Sequence, residues 1–446
     1  MMTPLPHSHI WPLRAEIRAG HLWIGGCDSV ALAQTYGTPL YLLDEMTLRD
    51  MMRSYQAAFL AACGGDPSRF GIHYASKALL NLALAQLVAD EGLGLDVVSG
   101  TELLLAQRAD LPMAHVHLHG NAKSAAELQR AVAWGVGAIV VDQLDELHHL
   151  AALTANAAIP QGILLRVAPA IQAATHAHIA TGAEDAKFGL PLAALDHAVN
   201  LVMAAPGLRL LGLHAHIGSQ LFDLTQLQAT VALLVGQAAH IYRTHGLLVA
   251  ELSPGGGLGV AYTPDQLHGD PVAYAQTLVG TLAEQWAAYG LPDPLPRLTV
   301  EPGRSIVARA GVALYTVIGR KLNAAGQTQY LHLDGGMADN LRPALYGARY
   351  TAMLADQAGA PAGPPVTVAG RFCESGDVLL RDTPLPPAQP GAILAVATAG
   401  AYTLSMASNY NLVPRPALVL VGDGQARLIQ RRESETEVLA RDLPLR

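Results

Sequence analysis

Between about residue 71 and residue 304 the chain repeats one pattern. A short apolar, β-rich run is followed by a loop carrying Gly, Ser, His or Lys, then by an Ala- and Leu-rich stretch with helical spacing. The apolar runs fall at 71–76, 95–98, 115–118, 138–141, 163–167, 211–217, 249–252 and 298–300. Short apolar runs bounded by turn residues read as strands, and the longer Ala/Leu stretches read as helices. Strands that alternate with helices pair in parallel through right-handed crossovers, so eight such units predict an α/β fold closed as a TIM (β/α)8 barrel. The rival is an open doubly wound sheet. The polar residues favour closure: Lys77, Ser99, Asn121, His216, Gly255 to Gly257 and Arg304 all stand just beyond the C-terminal end of a run. In a barrel that rim carries the chemistry.

After about residue 305 the texture changes to alternating apolar runs at 305–318, 330–333, 366–371, 392–397 and 417–421, broken by Gly, Pro and Asp. This pattern predicts a second, mostly β domain, a barrel or a sandwich. The expected organisation is an N-terminal segment 1–40 that joins the β-domain through a strand at 21–24, a barrel over 41–304 and the β-domain over 305–446. The Pro- and Gly-rich piece 359–365 reads as a surface loop.

A length of 446 residues accommodates both parts. Charge narrows the partners: 28 Lys plus Arg against 36 Asp plus Glu, a net of −8 without a block of like charge, disfavours nucleic acid. Hydrophobic residues make up 51% and mean hydropathy is +0.26, yet every apolar run is broken before the roughly 20 residues that a bilayer crossing needs. No membrane association is expected. Residues 1–18 lack the basic-then-apolar order of a signal peptide, and Cys27, Cys63 and Cys373 are too widely spaced for a disulfide framework or a zinc cluster. A reducing cytoplasm fits both features.

Five motifs carry candidate chemistry. Lys77 in YASKALLN follows a strand among small and apolar neighbours, where desolvation lets an amine attack an aldehyde to form a Schiff base; a solvated surface lysine is the plain alternative. SPGGGLG at 253–259 can turn backbone amides onto a phosphate, or can simply be a flexible turn. It lacks the third glycine of the Rossmann fingerprint, Tyr262 standing there instead. VEPGRSIVA at 300–308 places Glu301 and Arg304 at the last barrel strand, either as a strand-end ion pair or as a carboxylate for a pyridine nitrogen and a fork for phosphate or carboxylate. GLHAHIGSQ at 212–220 alternates His214 and His216; no third ligand with zinc-like spacing lies nearby, so no metal is expected. His216 could stack on a flat ring, and His214 reads as a core histidine. FCESGD at 372–377 is a polar turn or a loop that reaches a pocket, with Cys373 as an acid and Glu374 as a partner for an ammonium group.

Taken in order, lysine, histidine with Gly-Ser, triple glycine, Glu-Pro-Gly-Arg and Cys-Glu-Ser-Gly-Asp resemble the fold type III pyridoxal-phosphate decarboxylases. That family joins an alanine-racemase-like barrel to a β-domain, and the resemblance runs from about Gly20 to about Val421. HLHGNAKS at 117–124, HAHIATGAEDAKFG at 176–189, DGGMADNLRPALYGA at 334–348 and GAYTLSMASNYN at 400–411 resemble the branch that acts on diaminopimelate. The resemblance implies pyridoxal 5'-phosphate as cofactor, with Lys77 carrying its aldehyde, His216 stacked on its ring and Glu301 paired with its ring nitrogen. Ser219, Gly256, Gly257, Arg304 and Tyr402 would hold its phosphate. It further implies a homodimer with shared sites that converts meso-2,6-diaminopimelate to L-lysine. Arg304, Arg342 and Tyr346 would meet the substrate's distal carboxylate beside Tyr402. Cys373, the acid that returns a proton to Cα, and Glu374 would come from the partner subunit. Two positions depart from the family pattern: Leu79 follows Ala78 where Asn or Phe is usual, and Thr101 replaces a common glycine. Both concern the lining rather than the reactive groups.

Overall fold

Strands β1 (Phe70–Ala75), β2 (Gly94–Val97), β3 (Val116–Leu118), β4 (Ala138–Val141), β5 (Gln161–Arg166), β6 (Leu208–His214), β7 (Glu251–Gly255) and β8 (Arg297–Val300) pair in parallel in chain order, and β8 returns to β1 to close the barrel. Each corresponds to one of the apolar runs. The structure is a computed structural model that describes residues 4–169 and 187–445, so all but the last three residues of the 176–189 motif lie outside the described residues.

Small polar residues start the intervening helices where the pattern places them. Asn81 accepts the Leu84 N–H ahead of Leu82–Asp90, Ser99 accepts the Glu102 N–H ahead of Gly100–Arg108, and Ser124 with Glu127 forms a capping box on Ala125–Trp134. Asp270 caps Pro271–Ala288, with the proline in the first turn. Each cap satisfies an N–H that the helix cannot, and contributes about 1 kcal/mol. The first four strands hand the chain to a helix within a few residues, whereas β6 and β7 are followed by longer loops that run to Thr225 and Pro271, and these loops build the rim.

The chain divides into two compact units: Met51–Gly259 with Gly269–Ser305, which holds the barrel, and Met1–Asp50 with Val260–His268 and Ile306–Arg446. The second unit is mostly β. Its nine-stranded mixed sheet runs Val378–Pro384, Pro365–Ala369, Thr328–Leu333, Gly311–Leu322, Leu40–Asp44, Ala417–Gly422 and Gln425–Gln430, with Ile393–Val396 and Ala352–Leu354 branching from Gly311–Leu322. Strand Leu40–Asp44 falls here, not with the barrel. All five of its residues are buried, and it is paired on both edges, by Gly311–Leu322 and by Ala417–Gly422. An unbroken apolar strand needs cover on both faces, and a sheet centre supplies it. The core around it gathers Ile10, Trp11, Leu22, Leu42, Leu314 and Val419, each fully buried and each stabilising by roughly 1.5–3 kcal/mol. Among the described residues no helix is long and apolar enough to cross a membrane.

Candidate active site

His119 follows β3, His214 ends β6 and Glu301 follows β8, three strands of which no two are neighbours. Their side chains nevertheless touch, so they meet through the barrel interior. His214 Nε2 lies 2.9 Å and His119 Nε2 3.9 Å from Glu301 Oε1, and the Ser253 hydroxyl donates to the same oxygen at 2.7 Å. A second group adjoins it: Asp96 Oδ1 lies 3.2 Å from His73 Nδ1, 3.4 Å from His119 Nε2 and 4.0 Å from His117 Nδ1. Where a barrel usually packs branched apolar side chains, this one places imidazoles and carboxylates.

The electrostatics follow from this packing. Burial opposes ionisation of Glu301, but His214, His119 and His216 together hold its carboxyl well below the usual carboxylate range. Burial likewise works against Asp96, and His119 with His73 brings it down to about 2 despite the nearby Glu301. Burial, reinforced by the charge of Lys77, keeps His216 neutral at physiological pH. Both acids are therefore charged in the interior, while His216 offers an uncharged ring.

At the rim, Lys77 occupies the turn Ser76–Ala78 directly after β1. Two anchors fix that turn. Ser76 donates to Glu102 Oε2 at 2.8 Å while the same oxygen accepts the Val98 N–H at 2.7 Å, and the Ala75 N–H donates to the Pro302 carbonyl at 3.2 Å. Lys77 thus stands beside the loop that carries Glu301 and Arg304. The loops after β6, β7 and β8 converge alongside. Gly255 and Gly257 have φ of +78° and +110°, and a Cβ at Gly255, Gly256 or Gly257 would fall 2.5 Å from His216 Nδ1, 2.2 Å from the Glu301 carbonyl or 2.5 Å from the Gly218 carbonyl. Only glycine permits so close an approach. The Gly256 N–H donates to His216 Nδ1 at 3.4 Å, and Arg304 Nε donates to the Ser219 hydroxyl at 3.1 Å. The cradle after the last barrel strands, with a buried guanidinium beside it, could hold a phosphate.

Seven of the expected site residues, Lys77, His216, Ser219, Gly256, Gly257, Glu301 and Arg304, therefore share the barrel unit and one end of the barrel. The remaining five belong to the mostly β unit. Arg342 and Tyr346 bound the short helix Arg342–Tyr346. Arg342 is buried, its guanidinium 4.5 Å from the Tyr262 ring centre and 5.4 Å from that of Tyr350, and it donates to the Tyr350 hydroxyl. Its Nε has no hydrogen-bond partner, and among the described residues no carboxylate lies within ion-pair distance of it. Cys373 and Glu374 are exposed, with the Cys373 N–H donating to Asn411 Oδ1 at 3.2 Å. Tyr402 takes φ of +58°, a left-handed conformation that a tyrosine holds only when its surroundings impose it.

Several residues of the site carry no signal in local spacing. The sequence shows no third ligand beside His214 and His216; the fold brings His119 and Glu301 to His214, so that His214 is a direct neighbour of the key carboxylate rather than a plain core histidine. His119, His214 and Glu301, and also His73, Asp96 and His117, each bring three ligand-type atoms within 4.8 Å. His119 and His117 alternate in HLHGN as His214 and His216 do in HAHIG, which is the one clue the chain offers. A further buried network follows β3, β4 and β5. The Lys123 ammonium donates to the carbonyls of Gly120 and Val140 and to Glu146 at 2.6 to 2.8 Å, and Arg166 lies 3.6 Å from Asp142.

The barrel residues fit pyridoxal phosphate: an amine at the rim, an acid held ionised across the interior, a neutral flat ring and a glycine cradle with a guanidinium. Residues 48–308 match the family model described as pyridoxal-dependent decarboxylase, pyridoxal binding domain. The diaminopimelate decarboxylase of Bacillus subtilis (strain 168) is 40% identical over 429 residues, 96% of each chain. That of Halalkalibacterium halodurans is 42% identical over 432 residues, again 96% of each. Among solved structures, diaminopimelate decarboxylase from M. jannaschii in co-complex with L-lysine superposes with a TM-score of 0.89 at 31% identity, over 96% of this chain and 98% of that one.

Proposed function

Because the chain belongs to the pyridoxal-dependent decarboxylase family, we propose that it removes one carboxylate from meso-2,6-diaminopimelate and releases carbon dioxide and L-lysine. The observation that carries the chemistry is the Glu301 carboxylate, held ionised in the same barrel end as Lys77. When bound, pyridoxal phosphate supplies a conjugated ring that accepts the electron pair left at the substrate's Cα as carbon dioxide departs.

The chain's own groups do the rest. Lys77 contributes the amine that anchors the cofactor's aldehyde. Glu301 holds a proton at the ring nitrogen, and His214, His119 and Ser253 keep that carboxylate ionised and aimed. His216 gives the ring an uncharged face. Ser219, Gly256, Gly257 and Arg304, with Tyr402, hold the phosphate. Cys373 hands a proton to Cα once carbon dioxide has left.

Substrate choice rests on complementary charge. Arg342 is a buried cation with an unpartnered Nε, and a second carboxylate on the substrate answers it; the family resemblance adds Arg304, Tyr346 and Tyr402 as further substrate-binding residues. Glu374 pairs with the distal ammonium. Ornithine or lysine would leave the guanidinium unpaired, a loss of roughly 1–3 kcal/mol. Cys373 and Glu374 lie exposed on their own chain, which suits a homodimer in which each loop enters the partner subunit's site. We assign the protein to the cytoplasm, where the free thiols of Cys27, Cys63 and Cys373 stay reduced.

The test is an assay of the purified protein with pyridoxal phosphate on meso-diaminopimelate, ornithine and lysine, following carbon dioxide and product. L-lysine formed from diaminopimelate, with the other two turned over far more slowly, is expected. Preference for ornithine would reject the substrate, and no turnover of any of them would reject the reading.

A further inference from the structure

Two loops of the mostly β unit carry the groups assigned above to substrate recognition and proton delivery. One is the turn Gly335, Gly336, Met337, which leads into the helix of Arg342 and Tyr346; the other holds Cys373 and Glu374. A single side chain ties them together. Asp377 is buried, and its Oδ1 accepts the Met337 N–H at 2.7 Å while its Oδ2 accepts the Phe372 N–H at 2.8 Å. The backbone repeats the tie once, the Arg371 N–H donating to the Gly335 carbonyl at 3.1 Å, and two further bonds close the Cys373 loop on itself, the Gly370 N–H to the Asp377 carbonyl at 3.0 Å and the Asp377 N–H to the Glu374 carbonyl at 3.1 Å.

Both loops make room for this carboxylate. A Cβ at Gly336 would fall 2.4 Å from Asp377 Oδ1, and one at Gly370 would fall 2.2 Å from Oδ2. Gly336, at φ +158°, and Gly370 thus form the walls of a slot that fits a carboxylate and little else. Only a carboxylate can accept one N–H on each of two oxygens; an amide would turn a donor against one of the two N–H groups. Among the described residues no cation pairs with Asp377, so the two peptide N–H groups are what offset its burial. Beyond the clasp, the residues Cys373, Glu374, Ser375 and Gly376 are exposed, and their tethers are local or a single bond to Asn411.

Resting on the roles read above for Cys373, Glu374 and Arg342, we propose that Asp377 is a positioning residue: it clasps the Cys373 loop onto the Gly335–Met337 turn of the same chain and so sets the position from which the proton donor reaches into the partner subunit's site. Asp377 touches neither substrate nor cofactor. Its effect passes through the two loops.

The test compares the full-length, cofactor-loaded enzyme with Asp377→Asn, Asp377→Glu and Cys373→Ala. Asp377→Glu keeps the charge, but its longer arm overfills the slot. In both Asp377 variants the amides of peptides covering 334–342 and 370–377 should exchange at least tenfold faster with solvent deuterium. Exchange of the barrel strands and of Gly311–Leu322, and the affinity for pyridoxal phosphate read by its absorbance, should match wild type. Turnover should fall at least fivefold. Unaltered exchange at the two loops overturns the clasp. Faster exchange throughout the mostly β unit overturns it in favour of general support of the fold, and faster exchange at the loops with wild-type turnover, in an enzyme that Cys373→Ala cripples, overturns the positioning role. Full turnover by Cys373→Ala defeats instead the reading of the site on which the proposal rests, whatever the exchange shows.

Discussion

The imidazole of His214 and the carboxylate of Glu301 stand 2.9 Å apart across the barrel, joining the end of β6 to the end of β8. With Ser253 and His119 on the same oxygen, this pair overrides the burial that would otherwise protonate the acid.

Glu301→Gln should therefore retain bound cofactor, through Lys77 and the phosphate cradle, yet lose turnover by at least about 10²-fold, the usual cost of deleting a preorganised charge beside a reacting system. Rates and cofactor absorbance measured on the same sample check it. A variant with normal kcat would show that Glu301 does not serve the ring.

Arg342→Ala removes a cation that has no acidic partner among the described residues. KM for diaminopimelate should rise about 5- to 150-fold, corresponding to roughly 1–3 kcal/mol of lost pairing, while the absorbance of bound cofactor stays unchanged. Steady-state kinetics with both diaminopimelate and ornithine decide the point, because a defect of equal size on ornithine would mean that Arg342 does not read the distal carboxylate.

Lys77→Ala and Cys373→Ala should each be nearly inactive alone. If sites are shared between subunits, dissociating and remixing the two in equal amounts should restore about one quarter of wild-type activity, since half the dimers are mixed and each of these has one intact site. Recovery that never exceeds the separate variants would place both residues in the same subunit's site.

Asp339 supplies a pH prediction. Burial pushes its carboxyl up to about 7 from an ordinary 3.8, the neighbouring Asp334 and Asp377 add to the shift, and bonds from Tyr315 and the Gly336 N–H only partly offset it. A raised carboxyl binds its proton more tightly in the folded state. Its contribution to stability is thus complete below about pH 4 and is lost as pH rises through about 7, at about 1.4 kcal/mol per pH unit while it titrates. Asp339→Asn should flatten the fall in Tm between pH 5 and pH 8; parallel curves for the two proteins would reject this assignment.

The barrel was readable in advance for a local reason. Each barrel strand is a short apolar run bounded by polar or glycine residues and alternating with Ala- and Leu-rich helices, and that periodicity survives in the linear chain from 71 to 300. Lys77, the Gly255–Gly257 turn and Glu301 could be picked out because each directly follows such a run. Leu40–Asp44 could not be placed, since an unbroken apolar strand looks the same in any sheet and only its pairing with Gly311–Leu322 and Ala417–Gly422 assigns it.

Residue types and their order along the chain were enough to establish which groups could react and which architecture would hold them. Which groups touch was a matter of closure. His119, His214 and Glu301 are 95 and 87 residues apart in successive steps, and they meet only because eight strands bend into a ring that turns their side chains inward. Asp377 likewise finds its partners in two backbone N–H groups, one of them 40 residues away, and a peptide N–H has no signature in a sequence because nearly every residue carries one.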